Sequence, residues 1–309
     1  MMTGEVESGE VPVTSRTPAP ALRLQGATLS FGDRTLWSDM SLEIPAGQFV
    51  AVLGANGSGK TSMLRVLLGL LPLTAGSAEV AGRPVRRGST RVGYVPQRVA
   101  LESGNLIKAR DLVRMGLDGH RWGLPLSVGR TGRAARHRVD ELLTSVGASA
   151  FADMPVGRLS GGELQRVRVA AALAADPDLL LCDEPLAALD LRRQREIADL
   201  IDAQRRRTGA AVLFVTHDVN AVLEHVDQVL YLAGGRWRLG PPDEVLTSAG
   251  LTELYGAPVD VVRVQDRVIV VSATEGITGH QSHDDHAAHH AAHHGAHDAD
   301  ALDERFGVG

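Results

Sequence analysis

The residues Gly54, Ala55, Asn56, Gly57, Ser58, Gly59, Lys60 and Thr61, in that order, are the types needed to hold a nucleotide's phosphates. Glycines let backbone N–H groups curl round an anion, and the start of a following helix adds partial positive charge. Lys60 reaches the outer phosphates and the Thr61 hydroxyl ligates Mg²⁺, with Ser62 completing the candidate nucleotide-binding set. This is the P-loop, or Walker A, pattern. Of the 32 basic residues only Lys60 and Lys108 are lysine, so a chain that otherwise uses arginine keeps a lysine where a compact point charge is wanted. A glycine-rich turn that happens to contain Lys-Thr is the structural alternative.

Further polar groups fall at the ends of apolar runs. Leu179–Cys182 terminates in Asp183-Glu184, Ala211–Val215 in Thr216-His217-Asp218, and Arg91–Val95 in Pro96-Gln97. An acidic pair at a strand end opposite a phosphate cradle can hold a metal and activate water, whereas the bland reading is a solvated turn. Leu159-Ser160-Gly161-Gly162-Glu163 opens a helix whose residues Leu164–Ala175 are apolar on most sides and therefore expected to be buried.

These groups need a scaffold that brings strand ends together. Phe49–Leu53 precedes the loop and a helical pattern from Ser62 to Leu71 follows it, and apolar strands alternating with helices continue to Val215. That alternation predicts an α/β fold with a mostly parallel sheet covered on both faces, where ligands sit at the strands' carboxyl ends. Leu22–Ile44 instead alternates apolar and polar residues and breaks at Gly32-Asp33, predicting an N-terminal antiparallel β subdomain. From Val99 to Pro155 strands stop and helical spacing appears at Ile107–Met115 and Arg133–Val146, with a Gly- and Arg-rich loop over 117–132, predicting an inserted helical subdomain over about residues 99–158. Ile197–Arg207 reads as an amphipathic helix. Val229–Leu232 and Arg236–Leu239 read as closing strands, followed by a short helix to Tyr255 and a hairpin over 259–272.

Composition bounds the rest. A chain of 309 residues with a 44% hydrophobic fraction can build a packed core. The net charge of −5 is concentrated at the two ends, and the near-neutral middle offers no electrostatic footprint for nucleic acid. Cys182, the single cysteine, lies in an apolar run and reads as a small buried hydrophobe in a reducing compartment. Residues 1–20 read as a disordered lead without the apolar core of a secretory signal. No apolar run reaches the ~20 residues that span a bilayer.

Taken together, the segments resemble the ATP-binding cassette (ABC) ATPases over roughly Ala21 to Leu246, in that family's order. Leu159–Glu163 with Leu164-Gln165-Arg166 looks like the ABC signature, Leu179–Glu184 like the Walker B strand, Ala188-Leu189-Asp190 like the D-loop, His217 like the switch histidine and Gln97 like the Q-loop glutamine. The resemblance implies a P-loop NTPase core over residues 21–250 that hydrolyses ATP with Mg²⁺. In it Glu184 is the general base, His217 contacts the γ-phosphate, Asp183, Thr61 and Gln97 serve the metal, and Phe31 stacks on adenine. Ser160, Gly161 and Gly162, with Asp190 nearby, would close on ATP held by a second copy, so the working unit is a homodimer or a pseudo-symmetric heterodimer. Glu163 departs from the usual glutamine of the signature.

The helical insert is of the size found in transport ATPases, where a separate integral membrane permease docks. Such a protein sits in the cytoplasm on the inner face of the membrane, and an importer also depends on an extracellular metal-binding protein. Residues 251–275, a helix and hairpin, resemble the corresponding extension of zinc and manganese importer ATPases. Residues 276–309 form a low-complexity tail holding eight of the twelve histidines: His280, His283, His286, His289, His290, His293, His294 and His297. Their steps of three and four could chelate Zn²⁺, and imidazole also suits Ni, Co and Cu, better than Mn or Mg. A disordered solubilising tail is the alternative. Nickel, cobalt, manganese or an organic solute stays open as cargo, export stays open beside import, and a soluble non-transport ABC protein is the rival class.

Overall fold

A computed structural model describes residues 19–97, 106–118, 130–187, 189–265 and 267–272. The expectations for residues 1–18, for Ala188, for most of the loop over 117–132 and for the histidine tail lie outside them. The described residues from 19 to 271 belong to one compact unit.

The alternating N-terminal segment folds as expected into an antiparallel pair, β1 (Leu22–Phe31) and β2 (Arg34–Ile44), which runs from Leu22 opposite Ile44 to Phe31 opposite Arg34 with register shifts between Leu24 and Ser30. Next come β3 (Phe49–Gly54), α1 (Lys60–Leu67), β4 (Ala75–Val80) and β5 (Arg83–Pro84). β4 returns to lie antiparallel beside β1, giving a four-stranded sheet in the order β2-β1-β4-β5.

The remaining strands alternate with helices: β6 (Val92–Val95), α2 (Ala109–Asp118), α3 (Arg130–Ser145), α4 (Gly161–Ala172), β7 (Leu179–Asp183), α5 (Leu191–Thr208) and β8 (Ala211–Val215). Then follow β9 (Gln228–Ala233), β10 (Arg236–Gly240), α6 (Pro242–Val245), α7 (Ser248–Tyr255), β11 (Val259–Val264) and β12 (Arg267–Ser272). The main sheet runs β10-β9-β3-β8-β7-β6 and is parallel except for β10. Its order places the ends of β3, β8, β7 and β6 side by side, although the chain visits them in the order β3, β6, β7, β8.

Because successive side chains of a strand point to opposite faces, the sheet separates two apolar layers. Phe49, Ala51 and Leu53 face the side covered by α2, α3, α4 and α5, while Val50 and Val52 face α1 and the antiparallel sheet. Phe49 and Phe214, on neighbouring strands, stack at 5.5 Å between ring centroids and are fully buried.

Three helices start earlier than apolar periodicity predicts, and α4 opens within Leu159–Glu163 as read from the sequence. α1 begins at Lys60, directly on the loop, and ends at Leu67. α4 begins at Gly161 because Ser160 caps it, and α5 begins at Leu191 because Asp190 accepts a hydrogen bond from the Arg193 N–H at 2.9 Å. α3 takes in Arg130, Thr131 and Gly132, which composition assigns to the preceding loop. Capped first turns are polar, so they carry no apolar stripe to read.

Removing one ring of the stacked pair leaves a cavity between β8 and β3 that neighbours cannot fill. Phe214→Ala should therefore cost about 3–5 kcal/mol, measured as a lowered midpoint in chemical denaturation.

Candidate active site

The loop between β3 and α1 is bent by Gly54, Gly57 and Gly59, at φ 143°, 78° and 99°. Two of these glycines are also sterically required. A β-carbon on Gly54 would run into the Leu232 carbonyl of β9, and one on Gly59 would lie about against the indole of Trp37, itself fully buried in β2. Arg34, the first residue of β2, donates to the Gly57 carbonyl at 2.9 Å. The antiparallel sheet thus grips the loop from outside.

Lys60 is buried, and its Nζ donates to the Gly54 and Ala55 carbonyls at 2.6 and 3.0 Å, across the mouth of the loop. Burial pushes its pKa down, and the carboxylates of Glu184 and Asp183 push it back up. The ammonium is therefore held by groups of the site itself.

Asp183 ends β7 and is buried, with burial holding its pKa above the ordinary value. One carboxylate oxygen accepts from the Tyr94 hydroxyl at 3.2 Å, and the other is buried without a hydrogen-bond partner among the described residues. Tyr94 is pushed up to about 12, chiefly by burial and by the Asp183 charge, so it stays a donor. Sequence reading saw Tyr94 only as a strand residue. Its signal was faint: a hydroxyl-bearing aromatic three positions before Gln97.

Glu184 takes up a left-handed backbone, φ 44°, and its N–H donates to the Val215 carbonyl at 3.0 Å. Such a conformation in a non-glycine residue costs about 1–3 kcal/mol and survives where surroundings over-determine it. The turn brings its carboxylate to Gln97, whose Nε2 donates at 3.0 Å, and to within 3.8 Å of His217 Nδ1. The His217 ring is 67% exposed, open to a ligand from solvent. Gln97, Asp183, Glu184 and His217, from three strand ends, therefore meet beside the loop that carries Lys60.

The remaining predicted residues lie elsewhere. Ser160 caps α4 with a reciprocal pair: its hydroxyl accepts from the Glu163 N–H at 3.4 Å, and Glu163 accepts from the Ser160 N–H at 2.8 Å. Asp190 caps α5, and its second oxygen is 3.4 Å from Arg193 Nε, while the Arg193 side chain runs past Gly162. Among the described residues, no hydrogen bond joins Ser160, Gly161, Gly162 or Asp190 to the loop at 54–62. Phe31 is half exposed at the end of β1, opposite the Arg34 that grips Gly57, and so stands at the loop's edge rather than in the core.

ATP and Mg²⁺ fit these residues. The glycine cradle, the buried Ser58 hydroxyl without a partner, the Thr61 hydroxyl on the first helical turn and the free Asp183 oxygen form an all-oxygen and N–H donor set. Hard divalent cations prefer oxygen ligands, and phosphate prefers helix N-termini.

A parallel sheet with this loop and this acidic pair at its carboxyl edge defines a P-loop nucleoside triphosphatase. A family model described as ABC transporter matches residues 37–187. The chain is 35% identical over 249 residues to the zinc import ATP-binding protein ZnuC of Halorhodospira halophila, covering 80% of this chain and 88% of ZnuC. It is 32% identical over 248 residues to the manganese transport system ATP-binding protein MntB of Bacillus subtilis, covering 80% of this chain and 96% of MntB. Its fold matches the dimeric, post-hydrolysis ATP-binding cassette MJ0796 bound to ADP and Pi with a TM-score of 0.60 at 28% identity, over 71% of this chain and 98% of that one. The chain belongs to the ABC transporter family, as one of its ATP-binding proteins, and is an ATPase.

The reciprocal cap makes the start of α4 sensitive to acid. The Ser160 N–H and hydroxyl hold the Glu163 pKa below its ordinary value. The stability this lends is complete above the ordinary carboxylate pKa and is lost as pH falls through the lowered one. Glu163→Gln, which can keep both cap bonds without titrating, should remove that acid-limb loss. Melting temperatures of the two proteins across acid pH check it.

Proposed function

We propose that the chain is the ATP-hydrolysing subunit of a metal-ion importer, working as a homodimer that sandwiches two ATP molecules and drives a separate integral membrane permease. The carrying observation is that one chain holds one complete phosphate loop and one signature, with no hydrogen bond between them among the described residues. The dimeric form of MJ0796 supports pairing of two such chains. In this reading the ATPase domain spans residues 21–250 with the helical insert at about 99–158, a helix and hairpin extension follows over 251–275, and residues 1–20 and 276–309 are lead and tail.

ATP's phosphates enter the cradle of Gly54 to Ser62 and Phe31 stacks on the adenine. Lys60 exchanges the Gly54 and Ala55 carbonyls for outer phosphate oxygens. Thr61 and Asp183, with Gln97 in reach, would hold Mg²⁺, which would supply neutralisation of the phosphate charge. Glu184 accepts the proton of the attacking water as its oxygen bonds to the γ-phosphorus and the bond to the bridging oxygen of ADP breaks. His217 donates a hydrogen bond to the γ-phosphate oxygens as their charge redistributes. Ser160, Gly161 and Gly162 of the second copy approach the same phosphate from a capped helix N-terminus, with Asp190 at the seam.

Coupling to the permease is supported by a groove between β6, α2 and α4, lined by Tyr94, Leu112, Met115, Gly116 and Ala171. Met115, in the groove, is an exposed apolar residue. The Tyr94 side chain bonds to Asp183 on the α1 face of the sheet while its strand β6 edges the groove, so a segment docked there would press on the strand that carries Tyr94. Among the described residues no helix is long and apolar enough to cross a membrane. That is consistent with a cytoplasmic subunit held peripherally on the inner face by its permease, fed by an extracellular metal-binding protein.

Zinc is the proposed cargo, supported by ZnuC and by the imidazole-rich tail from His280 to His297; manganese is the second reading, favoured by MntB. Growth of a deletion strain rescued by added zinc and not by manganese decides between them. Deleting residues 276–309 should abolish zinc binding in calorimetry while leaving ATP binding intact; undiminished zinc binding would sink the tail's role. Glu184→Gln should keep ATP binding, lower turnover by about 10²-fold or more, and sediment as an ATP-bound dimer. Normal turnover in that variant would reject Glu184 as the base.

A further inference from the structure

Three residues after His217, the Asn220 carboxamide pairs with the backbone of Val268 in β12. Its Oδ1 accepts from the Val268 N–H at 2.8 Å and its Nδ2 donates to the Val268 carbonyl at 3.0 Å. The other Nδ2 hydrogen and the Asn220 N–H both go to Asp218 Oδ1, at 2.9 Å each. The Thr216 hydroxyl in turn accepts from the Asp218 N–H at 3.1 Å and donates to its carbonyl at 2.9 Å. An unbroken chain of bonds thus runs from the end of β8, past His217, to the C-terminal hairpin.

The side chain imitates a strand. A carboxamide presents one donor and one acceptor at the spacing of a peptide group, so it adds a single bridge to Val268. Aspartate has the shape but would face the Val268 carbonyl with a second acceptor, and glutamine is one methylene too long. The hairpin is itself a fixed anchor. Val259 and Val268 are buried in the main core, Thr252 of α7 bonds both backbone groups of Val259, and the Val261 N–H reaches Ser248. His217 has no comparable restraint on its ring, which is two-thirds exposed with Glu184 Oε2 at 3.8 Å.

We propose that Asn220 is a positioning residue for hydrolysis: by tying the His217 loop to β12, it makes the reach of His217 to the γ-phosphate depend on the C-terminal hairpin. This rests on the reading of His217 as the phosphate-facing group. It gives residues 259–272 a role in turnover, at the point where the sequence passes into the histidine tail.

The test is ATP turnover of the full chain with Mg²⁺. Asn220→Ala and the equal-sized Asn220→Asp should each lower kcat about tenfold while KM for ATP stays within about twofold, because ground-state binding does not use the loop. Val268→Pro, which deletes the N–H from the hairpin side, should give a similar loss. Asn220→Ala combined with Val268→Pro should be no worse than either alone, as expected of two ends of one interaction. In a His217→Ala background, Asn220→Ala should add no further loss. Unchanged kcat in both Asn220 variants, or a further tenfold loss in the His217→Ala background, would overturn the proposal. If His217→Ala itself turns over like the parent, the assignment of His217 fails, and that outcome is read independently of the Asn220 variants.

Discussion

The site depends on hydrogen bonds that continue the parallel ladder past the last strand residues. The Thr216 N–H donates to the Val52 carbonyl and the Glu184 N–H to the Val215 carbonyl, at 3.3 and 3.0 Å. Each bond ties the residue that turns out of one strand to the strand beside it. The phosphate loop, the histidine loop and the acidic pair are thereby set at one level, to within the tolerance of a backbone hydrogen bond. Side chains acting on one phosphate need that tolerance, since a shift of about 1 Å in a reacting group can cost about 10²-fold in rate.

Charge is concentrated where the ladder ends. Lys60 and Asp183 are both buried, and each would pay for desolvation alone. Burial drives the lysine and the aspartate towards their neutral forms, while their mutual proximity favours the charged ones. Among the described residues the balance leaves an unpartnered carboxylate oxygen and an ammonium whose hydrogen bonds go to two carbonyls, both of which a metal–nucleotide pair would complement. The left-handed turn at Glu184 adds stored strain at the same spot, offset by the Val215 and Gln97 bonds.

Much of this was legible in the chain. Apolar runs ending in Asp183-Glu184, His217 and Gln97 announced strand ends, and the glycine loop announced what they face. The order of strands was not legible, because nothing local in β8 says that it pairs with β3 on one side and β7 on the other. The start of α4 within Leu159–Glu163 was legible, whereas the start of α5 at Leu191 was missed because a capped polar turn lacks periodicity. Tyr94, Arg34 and Asn220 were missed for a different reason. Each acts through one hydrogen bond, or one bridge, to a partner 89, 23 or 48 residues away. Such contacts leave no pattern in composition or spacing.

The departure at Glu163 can be weighed on the same terms. The Ser160 hydroxyl accepts from the Glu163 N–H and also helps hold the Glu163 pKa down, so contacting a phosphate requires its proton to turn away from the Glu163 carboxylate. The Glu163 carboxylate, bonded to the Ser160 N–H, also sets a negative charge in the first turn, where a phosphate from the second copy would approach. Helix dipole and carboxylate then act in opposition on the incoming phosphate, and at exposed, well-solvated distances each is worth about 0.3–1 kcal/mol. A glutamine in this place would keep the cap and lift the repulsion. In the homodimer proposed above, the cap would favour a well-formed α4 in the separate chain at some expense to the grip of the closed pair, shifting the balance towards the open dimer between turnovers.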